Sequence, residues 1–184
     1  MLKVVVTAAA AFAATNIDDL FVLMLLFGQA GQAAERRRIV AGQYVGVGLL
    51  TATSLAGALG VGLFPEGLLR LLGLVPIALG IRAWLKRDGG EDAENSALSV
   101  PGVAALTVAN GGDNIGVYLP LLAQMDREEK AAALVIFAFL CGLWCAVGAR
   151  LAELPVVARA IARHRNWLVP LVLILLGASI LLSV

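Results

Sequence analysis

The sequence predicts an all-α integral membrane protein whose six transmembrane helices form two inverted three-helix repeats. Three observations predict it. The 184 residues are 60% hydrophobic, with a mean hydropathy of +0.91. Charged residues make up 15% of the chain, against about 25% in a soluble domain. They cluster, leaving apolar stretches near or above the roughly 18 residues that mark a membrane span. Residues near the N-terminus also recur in mid-chain.

The predicted spans are Leu2–Phe27, Ile39–Phe64, Gly67–Trp84, Leu98–Ala123, Ala131–Ala149 and Trp167–Val184. The first is not read as a cleaved signal peptide. Its apolar run continues past the small residues Ala8–Ala10, through Asp18 and Asp19, to Phe27. Span two carries small residues four apart, Gly42/Gly46, Ala56/Gly60 and Ala58/Gly62. That pattern predicts close internal packing and leaves a homodimer as the sharper alternative. Gln43, Tyr44, Thr51, Thr53 and Ser54 give it a hydrophilic wall, readable as a path lining or as polar glue. Pro76 and Pro170 should kink spans three and six. Residues 86–97 form an acidic, Gly-containing linker, so the repeats are 1–85 and 98–184 within one membrane domain. Arg150–Asn166 predicts a short interfacial helix, with His164 in its basic loop and outside any mid-membrane site.

Ten Lys and Arg residues lie in or beside the loops after spans one, three and five, against four on the other side. The positive-inside rule then places both termini outside the cytoplasm. A net charge of +1 gives no field to attract nucleic acid.

A shift of 95 residues lays Ala14 on Ala109, Asp18 on Asp113, Asp19 on Asn114, Leu20 on Ile115 and Val22 on Val117. A shift of 94 lays Val75-Pro76 on Val169-Pro170. Three spans per repeat force the second copy to enter from the opposite side, which puts a site at mid-membrane between the halves.

Of the 13 acidic residues, only Asp18, Asp19 and Asp113 fall well inside spans. Each lies about fifteen residues in, or roughly 20 Å. One ionised Asp at that depth costs about 2.5–3.5 kcal/mol, so a cation, a proton or a paired base must compensate. No Lys, Arg or His lies near mid-span, and a metal ion or proton fits best. Thr15, Asp18 and Asp19 stand at i, i+3 and i+4, as do Asn110, Asp113 and Asn114. At that spacing the residues of each triplet share a helix face. Asn16 adds an amide, and Gly111-Gly112 should allow a broken helix with free carbonyls. Two carboxylates would neutralise a divalent ion; the third could carry a proton, a duty that falls to Asp19 because its counterpart is an amide. The structural alternative makes these groups helix caps and interhelical glue, with Asn110 and Asn114 as caps.

Ala14-Thr15-Asn16-Ile17-Asp18-Asp19-Leu20-Phe21-Val22-Leu23 resembles the first-helix signature of the CadD-like cadmium-resistance transporters. Asn110-Gly111-Gly112-Asp113-Asn114-Ile115, with Tyr118 and Pro120, resembles their fourth-helix signature. The resemblance covers nearly the whole chain. It implies a LysE-type exporter of Cd²⁺ in the bacterial inner membrane, with another divalent cation (Mn²⁺, Zn²⁺ or Ca²⁺) as the alternative substrate, and with no enzymatic activity and no prosthetic group. Thr15, Asn16, Asp18, Asp19, Asn110, Asp113 and Asn114 are then the metal-site candidates. Oxygen ligands suit Mg²⁺, Ca²⁺ or Mn²⁺ better than Cd²⁺. Cys141 and Cys145, at i and i+4 on span five, could supply softer ligands, or could be small packing residues; Met24 reads as packing.

Two other functions are compatible with a membrane chain of this kind. Some members of the broad fold pass electrons through membrane cysteines, but that chemistry wants one cysteine in each half, and both lie in span five. Their helical spacing, about 5–6 Å between Cβ atoms, disfavours a mutual disulfide. Export of an amine-bearing organic solute is the other reading.

Overall fold

The protein is described by a computed structural model over residues 2–60 and 98–159, with isolated helical residues at 74, 77, 78, 81, 171, 174, 175 and 178. Spans three and six, the acidic linker, Pro76, Pro170 and His164 lie outside the described residues. The elements are α1 (Leu2–Thr15), α2 (Ile17–Gln29), α3 (Ala33–Ala58), α4 (Val100–Asn110), α5 (Gly112–Ala123) and α6 (Arg127–Glu153). No strand occurs among the described residues. Helices α3 and α6 are each long and apolar enough to cross a membrane, as are α1 and α2 taken as one bent span.

The two continuous helices start earlier than their apolar stretches predict, because polar caps extend them into the loops. Glu35 Oε2 accepts the backbone N–H groups of Gly31 and Gln32 at 2.8 and 3.1 Å. At the start of α6, Asp126 and Glu129 bond reciprocally, each side chain taking the other's N–H at 2.9 and 3.2 Å. Such boxes satisfy donors that a first helical turn leaves unpaired. Gln32 and Asp126, like Glu35 and Glu129, stand 94 residues apart, so equivalent positions open both helices. Helix α3 stops at Ala58, short of the Phe64 predicted, and Gly60 follows at φ +82°. That left-handed conformation suits glycine alone among residues without strain. Beyond α6, helical structure resumes over residues 155–159, in the segment predicted to be an interfacial helix.

The other four helices pair across two breaks. The first pair bends by 59° between α1 and α2, at Asn16 with φ −116° and ψ 16°. The second, in the stretch predicted as span four, breaks at Gly111, with φ −87° and ψ 26°. The break at Gly111 agrees with the prediction; the break at Asn16 corrects it. Thr15 and the pair Asp18/Asp19 do not share one helix face, because the helix ends between them. At the break the Asn16 amide adds a second donor to Phe12 O at 2.8 Å, beside its own backbone N–H at 3.0 Å. The two break residues stand 95 apart and adopt similar non-helical conformations, so both triplets straddle a break.

Each broken pair packs on a continuous helix: α4 and α5 against α3, α1 and α2 against α6. Two apolar clusters flank the breaks. One joins Leu26 and Phe27, at the end of α2, to Leu98 and Val103 at the start of α4. The other joins Val4 and Ala8 of α1 to Leu122 and Met125 at the end of α5. The broken spans therefore run antiparallel. Helices α3 and α6 do the same, since Arg36, near the start of α3, pairs with Glu153 at the end of α6 at 2.9 Å.

Candidate functional site

The two breaks meet between the clusters, and polar side chains fill the gap. Asn16 is fully buried and acts as a hub. Its Nδ2 donates to the Tyr118 hydroxyl at 2.7 Å, and its Oδ1 accepts from Asn114 Nδ2 at 3.2 Å. Tyr118, also fully buried, lies 3.2 Å from the Thr15 hydroxyl and stacks on Phe137, with ring centroids 4.3 Å apart. The carbonyl of Asn16 accepts from Trp144 Nε1 of α6 at 2.7 Å. These bonds tie α1, α5 and α6 to the first break and satisfy backbone that a broken helix would otherwise leave bare.

Trp144→Phe removes that donor while keeping an aromatic ring. It should lower stability by roughly 0.6–1.7 kcal/mol, the range for hydrogen bonds inside membrane proteins. Unfolding of the purified protein in mixed micelles reads this directly, and an unchanged midpoint would remove Trp144 from the scaffold.

One turn further on lies the carboxylate. Asp19 is buried, 4% exposed. Its Oδ1 accepts from Asn110 Nδ2 at 2.7 Å and its Oδ2 from Gln43 Nε2 at 2.9 Å. Gln43 is held in turn, its Oε1 accepting from the Thr107 hydroxyl at 2.7 Å. All three partners of this chain are neutral, so nothing bonded to Asp19 offsets a negative charge. Asp18 is half-buried and Asp113 exposed. Each accepts the N–H of the residue after it, Asp19 N to Asp18 Oδ1 at 3.1 Å and Asn114 N to Asp113 Oδ1 at 3.0 Å. Residues matched at the 95-residue shift thus make the same bond, each in the first turn of a half-helix, where the dipole favours a negative charge. The charges of Asp18 and Asp113 also reach Asp19 and each other.

The structure brings all seven predicted residues to the two breaks and divides their roles. Asp19 is enclosed with Asn110, while Asp18 and Asp113 lie in the first turns of the two half-helices, less buried than Asp19. Thr15 and Asn16 are engaged with Tyr118 and the chain's own backbone. Asn114 stands between, its Nδ2 bonded to Asn16 and its buried Oδ1 without a partner. No three or more of His, Cys, Asp and Glu converge into a metal-holding group among the described residues. A cation here would complete its shell with amide oxygen. Gln43, read from the sequence only as part of a hydrophilic wall, is a direct partner of Asp19. Thr107 gave no signal, because a single Thr in an apolar helix is ordinary. Met24 packs against the apolar cluster, as read.

The family model described as cadmium resistance transporter matches residues 12–184, both breaks and every site residue included. The chain belongs to the cadmium resistance transporter family. No curated relative and no solved structure matches it. Family membership and the apolar helices make it a membrane protein of a transporter family.

Proposed function

We propose that this family member exports divalent cations, Cd²⁺ foremost, through a mid-membrane site at the two helix breaks. The observation that carries the reading is Asp19, a buried carboxylate whose partners are neutral amides. A structural carboxylate at this depth would be expected to pair with a base, and the cost of leaving it bare is several kcal/mol. A cation drawn from solution supplies the missing charge only while it is bound, as transport requires. Asp18, Asp19 and Asp113 provide the charge; Asn110 and Asn114 provide carbonyl oxygens, the latter already unpartnered. Thr15 and Asn16 hold the break.

The crossed packing of the halves and the antiparallel broken spans support an inverted six-span repeat that rocks about this site. In the bacterial inner membrane, with both termini outside, α3 would enter from the cytoplasm. Asp19, set apart from its amide counterpart Asn114, is the acid we assign to proton exchange.

Growth and metal content of a metal-sensitive host test the reading across Cd²⁺, Zn²⁺, Mn²⁺ and Ca²⁺. The wild type should confer Cd²⁺ resistance and lower cell cadmium, and Asp18→Asn and Asp113→Asn, at normal protein levels, should not. Full protection by both variants would move the site elsewhere. Absence of any metal phenotype in the wild type would overturn the function.

A further inference from the structure

The carboxylate site alone does not explain a preference for a thiophilic ion, since carboxylate and amide oxygens favour harder cations. Softer ligands lie alongside. Cys141 and Cys145 are free and buried one turn apart on α6. They belong to the same stretch of α6 as Trp144, whose indole holds the Asn16 carbonyl at the first break. Cys145 packs in the cluster containing Leu23, one turn beyond Asp19, and Cys141 in the one containing Tyr118, whose hydroxyl accepts from Asn16. The thiols therefore adjoin the oxygen site.

A second observation points to a ligand on their other side. Between α3 and α6 runs a crevice of about 300 Å³ bordered by Cys141, Tyr44 and Thr51. Thr51 is 8% exposed, yet its hydroxyl has no hydrogen-bond partner. A mid-helix Thr can return its hydroxyl to the backbone one turn back, as Ser54 does to Leu50 O at 2.8 Å. Thr51 does not, and leaves an oxygen lone pair beside a thiol.

We propose that Cys141 and Cys145, with the Thr51 hydroxyl, form a second station that selects thiophilic divalent cations such as Cd²⁺ on their way to or from the carboxylates. This rests on the export function proposed above. Each thiol loses its proton as its sulfur–metal bond forms, so one dication enters and two protons leave to the aqueous phase. The local charge is then unchanged, which makes binding in an apolar crevice feasible. An oxygen-preferring ion gains nothing from the sulfurs and would bypass the station.

Purified full-length protein in detergent is titrated with cadmium chloride or manganese chloride. Ultraviolet thiolate-to-metal charge-transfer absorption and proton release to a pH indicator are followed. The wild type should show the band with cadmium alone and release protons as it grows. Cys141→Ser with Cys145→Ser should abolish the band and weaken cadmium binding by about tenfold or more, leaving manganese binding unchanged. Equal cadmium affinity in that double variant, or no band in the wild type, would overturn the station. Should the double variant fail to fold, cadmium NMR of the wild type separates sulfur from all-oxygen ligation, the latter overturning the proposal. The two proposals can fail apart. In reconstituted vesicles, a double variant with wild-type preference for cadmium over manganese sinks the station and leaves export standing. A wild type that shows the band but transports no cation sinks export alone.

Discussion

Asp19→Asn should abolish metal export while making the protein more stable. The carboxylate is buried among neutral groups, so an isosteric amide removes the penalty of placing a charge there. The amide does not fit the existing bonds unaltered. Gln43 and Asn110 both donate to Asp19, and an Asn can accept with one arm only. Asn110 can rotate to present its oxygen to the new NH₂, whereas Gln43 is pinned by Thr107 and keeps its orientation. Both arms of the new amide then have partners, and stability should rise by about 1–3 kcal/mol, the scale of removing one poorly compensated buried polar group. Function should move the other way. Losing a carboxylate that contacts the ion should weaken cation binding on the order of a hundredfold or more, since outer partners of metal ligands already matter at about that scale. Export in vesicles and unfolding in micelles, measured on one preparation, read both signs. A variant that loses stability and transport together would make Asp19 a structural residue.

Gly46→Val should cost the fold. A Cβ at Gly46 would stand 2.5 Å from Thr107 Cβ, and one at Gly42 would stand 2.5 Å from Val103 Cβ and 2.8 Å from the carbonyl of Val100. Backbone and the stem of a β-branched residue cannot yield that distance, so α3 and α4 would have to separate. Overpacking of this kind costs about 1–3 kcal/mol or more. Here it also pushes Thr107 off Gln43 and so loosens Asp19. Gly48 is the internal control, because a Cβ there meets nothing within 4 Å. Gly48→Ala should be stabilising by up to about 1 kcal/mol through helix propensity alone. Expression and thermal unfolding of the two variants separate close approach from a general intolerance of side chains in α3; equal losses would remove the contact argument. The same distances show that Gly42 and Gly46 serve packing within the chain, the plainer of the two readings of their spacing.

The early starts of α3 and α6 show where a hydropathy pattern runs short. Apolar residues mark which part of a helix sits in the bilayer, but capping chemistry at Gln32/Glu35 and Asp126/Glu129 decides where the helix begins. The break at Gly111 was legible because glycines weaken a helix wherever they stand. The break at Asn16 was not. No Gly or Pro interrupts residues 2–27, so a continuous helix is predicted there, and one Asn bends it because Tyr118, Asn114 and Trp144 arrive from other helices to satisfy what the bend exposes.

The sequence by itself determined that this is a helical membrane protein, that Asp18, Asp19 and Asp113 fall inside apolar stretches, and that those stretches carry matched residues. Each follows from composition, or from comparing the chain with itself, and needs no knowledge of contacts. Only the tertiary structure decided which of those carboxylates is buried. Asp18 and Asp19 are neighbours of identical chemistry, yet Asp19 alone is enclosed by Gln43 and Asn110, from α3 and α4, 24 and 91 positions away. Burial depends on what packs opposite a side chain, and partners that distant leave no trace in local spacing.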